Sequence, residues 1–141
     1  MKHRPLLLAL TFLLTQVSFA AVTNEKPNAC PSVSAIKTAG FSQVDLSGEG
    51  WFLYNSHQQY DTNAQWSFGL FIVNDTNIHN ENEAREKANV VLNLIKFDEP
   101  RKDEDKWVCS YMGQLENNSV IIATAATPPY EGTKFFSKYR R

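Results

Sequence analysis

Residues 66–73 read WSFGLFIV, with Trp66, Phe68, Leu70 and Ile72 at every second position. That alternation places all four on one face of a strand, with Ser67 and Gly69 starting the other face. Toward the N-terminus, Trp51–Tyr54 is a second apolar run, and the polar stretch His57–Asn63 between the two reads as a turn. Ser47-Gly48-Glu49-Gly50 is another turn, and Phe41–Leu46 alternates before it. Three consecutive strands joined by turns predict an antiparallel meander.

The flanks of the meander read as helices. In VSAIKTAG, Val33, Ile36 and Ala39 follow helical spacing, Pro31 suits a first turn and Gly40 suits a C-terminal cap. On the other side a polar loop, Asn74–Asn82, ends in a helix start. Asn80 and Glu83 have the spacing of a capping box. Ala84, Ala88, Val91, Leu92 and Ile95 then form one stripe of an amphipathic helix, with Glu81, Glu83 and Glu86 early and Lys96 late, as the macrodipole favours. Pro100 stops that helix, and residues 98–106, DEPRKDEDK, are expected to form a charged surface loop. Trp107–Met112 and Val120–Ala125 are two further strands, separated by a turn over Gly113–Asn118, and Thr127-Pro128-Pro129 ends the second. The order α-β-β-β-α-β-β predicts an α+β domain: an antiparallel sheet of about five strands with helices packed mainly on one face.

Residues 1–20 have the layout of a secretory signal peptide. Lys2 and Arg4 form a positive start, Leu6–Phe19 is largely apolar, and Ser18 and Ala20 are small residues before a cleavage site. The apolar stretch falls short of the ~20 residues that span a bilayer. Cleavage leaves residues 21–141 as a single domain, with its core in 30–127 and a C-terminal tail in 128–141. It also shifts the net charge from −1 to about −3 by removing Lys2 and Arg4. The expected location is periplasmic or secreted.

The chain has 14 basic against 15 acidic residues, which argues against a strongly basic nucleic-acid binder. No nucleophile elbow, zinc-protease helix, phosphate-binding loop or dinucleotide fingerprint is present. The acidic residues form no pair that marks acid–base catalysis, so no catalytic residue is assigned and the protein is expected not to be an enzyme. No metal site is expected either, since two cysteines are too few for a cysteine zinc centre.

In an oxidising compartment two lone cysteines usually pair. Cys30 lies just before the first helix, and Cys109 shares a strand face with Trp107 and Tyr111. A bond between them closes a loop of about 80 residues, a stabilisation of about 4.5 kcal/mol on chain-entropy grounds. After cleavage two histidines remain, His57 and His79, at opposite ends of the third strand. They are therefore too far apart to share one metal ion or one haem. His57 is the better ligand candidate because Tyr54 and Tyr60 flank it, and imidazole and phenolate are both axial ligands of haem iron. Residues 130–141, YEGTKFFSKYRR, mix aromatics with cations; they read either as a docking tail or as a terminal segment whose aromatics fold back on the core.

The strings CPSVSAIKTAGF at 30–41, GWFLYN at 50–55, NENEAREKANVVLNLI at 80–95 and WVCSYMGQL at 107–115 follow that leader. In this layout the chain resembles the small exported proteins of Legionella grouped as a domain of unknown function, some of them labelled hemin-binding protein. The likeness covers almost the full length but brings no ligand motif that can be carried over. It implies a non-enzymatic exported protein associated with haem binding in iron acquisition; the candidate ligands His57, Tyr54 and Tyr60 come from the residues themselves. The alternative is a structural or protein-interaction module of the envelope or secreted fraction with no small ligand.

Overall fold

The structure is a computed structural model and describes residues 25–73, 75, 77–114 and 120–130. The expected leader at 1–20, most of the expected turn at 113–118 and the residues beyond Tyr130 lie outside the described residues. The elements run α1 (Val33–Ala39), β1 (Gln43–Ser47), β2 (Gly50–Gln58), β3 (Trp66–Val73), α2 (Glu81–Leu92), β4 (Lys96–Phe97), β5 (Arg101–Asp103), β6 (Lys106–Gln114) and β7 (Val120–Thr127).

Alternation builds the meander as expected. Trp51 pairs with Ile72 and Leu53 with Leu70 across β2 and β3, while Val44 and Leu46 of β1 stand opposite Leu53 and Trp51. Val44, Leu46, Trp51, Leu53, Leu70 and Ile72 thus fall on one face. β7 then lies against β3, and β6 against β7, giving the order β1-β2-β3-β7-β6-β4, with β5 also on β6 and every pairing antiparallel. The last strand in the chain is therefore central in the sheet.

The sheet has seven strands, not about five. The two additional strands come from the end of the expected helix and the expected charged loop. α2 stops at Leu92, where Asn93 and Leu94 donate to Val90 and Val91 in a tightened last turn. Ile95 is therefore outside the helix, although it is still buried in the core. Lys96–Phe97 and Arg101–Asp103 pair with opposite ends of β6, and buried Pro100 sits between them. β6 would otherwise present a long unpaired edge, and two short charged strands cap such an edge well.

Both helices lie on the same face. Ile36 of α1 and Ala84, Ala88, Val91 and Leu92 of α2 join Leu53, Phe68, Leu70 and Tyr111 in one buried cluster. An aromatic row, Phe41–Phe68–Tyr111, crosses its middle at centroid spacings of 6.1 and 5.4 Å. Ser32 caps α1, its hydroxyl accepting from Ala35 N at 3.1 Å, so Pro31 lies one residue ahead of the first turn. Asn80 caps α2, with Glu83 reaching back to His79 N at 2.7 Å. Lys37 of α1 donates to Asn93 beyond the end of α2 at 2.7 Å, tying the helices together.

The disulfide joins Cys30 to Cys109, with Cα atoms 5.8 Å apart. It pins the segment before α1 to the middle of β6, as the two lone cysteines implied. The Asp98 carbonyl oxygen lies 3.0 Å from Cys30 Sγ. A disulfide sulfur has no hydrogen to donate, so this is a sulfur–oxygen contact in the gap between β4 and β5.

Candidate functional site

The three candidate ligands are one strand-end apart in sequence but occupy three different environments. Tyr54 belongs to the sheet face opposite the helices, which we call the back face. It is buried there with Val108 and Ala126, and Phe52 and Tyr130 pack beside it. Tyr60 instead packs against the main core and receives a hydrogen bond from Asn55 Nδ2 at 3.4 Å. His57 is exposed.

The local backbone explains the separation. β2 runs to Gln58, so His57 is part of the strand, not of the loop after it. Register slips between Asn55 and Gln58, and His57 takes φ 59, followed by Tyr60 at φ 54. Left-handed backbone at two non-glycine residues costs about 1–2 kcal/mol each, and here it redirects successive side chains out of the strand alternation. Asn55 holds the bend: its amide accepts from Ser42 N at 2.6 Å and donates to the Gly40 carbonyl as well as to Tyr60.

The electrostatics distinguish the phenols further. Burial pushes the Tyr60 phenol up to about 12, only partly offset by its hydrogen bond to Asn55. Burial also raises Tyr54, and the Asp45 carboxylate beside it adds to the effect. Both favour the neutral phenol, and an iron ligand would need the phenolate. Of the three, only His57 offers an exposed ligand side chain. His79 follows β3 at the other end of the β2–β3 ladder, where Gly50 pairs with Val73, and is likewise exposed.

One open cleft of about 570 Å³ lies beside the disulfide, lined by residues within 26–30 and 97–100. None of the candidate ligands lines it. Among the described residues, no group of three His, Cys, Asp or Glu side chains is placed to hold a metal ion. No described helix is long and apolar enough to cross a membrane.

The back face is the feature that the strand patterns left unread. Phe52 lies 5.7 Å from Phe71 and 5.9 Å from Tyr54, centroid to centroid, forming an aromatic row across β2 and β3. Beyond β7 the chain turns onto this face. Lys106 donates to the Pro128 carbonyl at 2.9 Å and sits 4.3 Å from the Tyr130 ring centroid. Tyr130 N donates to Ser67 Oγ at 2.9 Å, which fastens the start of the tail above β3. A period-2 pattern with Phe52, Tyr54 and Phe71 at the alternate positions was the available signal.

These features define a class: a disulfide-pinned α+β protein whose antiparallel sheet carries helices on one face and aromatics on the other. Within that class, the chain belongs to the family described as a domain of unknown function, DUF4949, which matches residues 29–129. The match begins beside Cys30 and ends where the chain turns onto the back face. Neither a curated protein nor a solved structure matches the chain.

Proposed function

We propose that this is an exported binding protein without catalytic chemistry, periplasmic or secreted, and that its ligand is hemin. The observation that carries the site is the exposure of His57 on the β2 bulge, where Tyr54 is buried and Tyr60 half-buried, both phenols raised by burial. The likeness to exported proteins labelled hemin-binding is what names haem as the ligand. His57 would supply one axial imidazole. With His79 at the far end of the ladder, a monomer offers no second histidine to the same iron. Affinity should therefore be modest and the spectrum unlike bis-histidine ligation.

A hemin titration of the mature protein, followed in the Soret band, tests this. His57→Asn is the informative variant, because asparagine tolerates left-handed backbone and leaves the bulge intact. It should weaken binding at least tenfold, and His79→Ala should leave it unchanged. An unaltered hemin spectrum at micromolar protein would end the haem reading. The second reading, an interaction module with no small ligand, is favoured by apolar side chains on the back face, where Val73 is 60% and Met112 57% exposed.

A further inference from the structure

The two ends of the Cys30–Cys109 bond have different surroundings. Cys30 forms part of the wall of the open cleft, beside Phe97, Asp98 and Pro100, and is 5% exposed. Cys109 does not line the cleft; it is fully buried in the core, on the same strand as Tyr111. We propose that this bond is a reversible exchange site for a small-molecule thiol, with Cys30 the sulfur attacked from the cleft and Cys109 the buried sulfur that leaves and returns. This role does not depend on the haem reading.

Access comes first. Exchange proceeds by attack of a thiolate on one sulfur of the bond, so the sulfur that a nucleophile can reach is the one that reacts. The cleft, at about 570 Å³, has a size that admits a small molecule. The segment bearing Cys30 is also held without the bond. Asn28 and Asn63 exchange two hydrogen bonds, at 3.0 and 3.2 Å, before it in the chain. After it, Ser32 N donates to Asp61 at 3.0 Å, and the Tyr111 hydroxyl donates to the Pro31 carbonyl at 2.7 Å. Tyr111 is two residues from Cys109 on β6, so these contacts keep an opened pair within reach of closing again. Finally, both sulfurs have a place as thiols. The Asp98 carbonyl oxygen, 3.0 Å from Cys30 Sγ, becomes an acceptor once that sulfur carries a hydrogen. Cys109 as a thiol is a small apolar side chain among core residues.

The chemistry balances with two equivalents of thiol. The first thiolate bonds to Cys30 Sγ; the Cys30–Cys109 bond breaks, and its electron pair goes to Cys109 Sγ, which takes up a proton. A second thiolate attacks the added sulfur, releases Cys30 as a thiolate that is then protonated, and leaves as a small-molecule disulfide. Two thiols are oxidised and one protein disulfide is reduced. In the return direction Cys109 attacks Cys30 Sγ and expels the first thiol.

Dithiothreitol, as the small-molecule thiol, tests the attack on the oxidised wild-type protein. The opening rate should rise with dithiothreitol concentration and stay nearly flat as urea is added below the unfolding transition. A rate that climbs with urea in step with the unfolding equilibrium would place the attack on the unfolded chain and overturn the proposal. The reduced protein supplies the second measurement. Its circular dichroism should remain native, and brief iodoacetamide treatment followed by peptide mapping should find Cys30 alkylated at least about tenfold faster than Cys109. Loss of the native spectrum on reduction, or alkylation of Cys109 at an equal or faster rate, would overturn the assignment.

Discussion

Asn55 occupies the point where strand, bulge and first helix meet. Its side chain is 5% exposed and serves Ser42 N, the Gly40 carbonyl and the Tyr60 hydroxyl at once. Asn55→Ala would remove three part-buried hydrogen bonds, at about 0.5–1.5 kcal/mol for each. Urea denaturation should show a loss of roughly 3 kcal/mol, with the slope of the transition unchanged. Tyr60 gives the pH dependence at the alkaline end. Its phenol is raised from 10.0 to about 12 in the fold, so between those values the folded chain holds a proton that the unfolded chain releases. The stabilisation is complete below pH 10 and is lost as pH rises through about 12. Burial raises Tyr111 as well, and its hydroxyl donates to the Pro31 carbonyl at 2.7 Å. Absorbance titration near 295 nm should therefore show part of the phenol signal appearing late, together with loss of near-UV circular dichroism.

At the scale of elements, reduction of the Cys30–Cys109 bond tests how much packing alone holds the first helix to β6. A reduced protein, or the double variant Cys30→Ala/Cys109→Ala, should lose about 2–4.5 kcal/mol. Melting followed by circular dichroism, with and without reductant, measures it. Gly113 is a second such point. A Cβ there would come within 2.7 Å of the Leu94 carbonyl oxygen, where the chain leaving α2 passes against β6. Gly113→Ala should cost about 1–3 kcal/mol in chemical denaturation, since backbone cannot give way as a flexible side chain can.

Legibility in the sequence followed chemistry element by element. The meander and α2 announced themselves because Trp66, Phe68, Leu70 and Ile72, and likewise Asn80 with Glu83, satisfy local rules that the final fold also uses. β4 and β5 did not, because Lys96-Phe97 and Arg101-Lys102-Asp103 contain no alternation, and their extended state depends on the edge of β6. The candidate ligands were close in sequence, but the bulge at His57 sends them to different surroundings, and a left-handed residue that is not glycine carries no compositional mark. The cysteine pair was legible from its number and from the compartment the sequence predicts.

For the whole molecule, the sheet order β1-β2-β3-β7-β6-β4 has a temporal meaning. A chain delivered from its N-terminus can complete the β1–β3 meander and then make β4, β5 and β6, but the two halves share no strand pairing until residues 120–127 arrive. Until then β3 and β6 each present a full row of unsatisfied backbone groups, the condition in which strands pair with the wrong neighbour. Closure by a late central strand makes high contact order unavoidable and places the commitment to the native state at the end of synthesis. For the export proposed above, that delay would be an advantage: the β3–β7–β6 pairing cannot form until residues 120–127 have crossed.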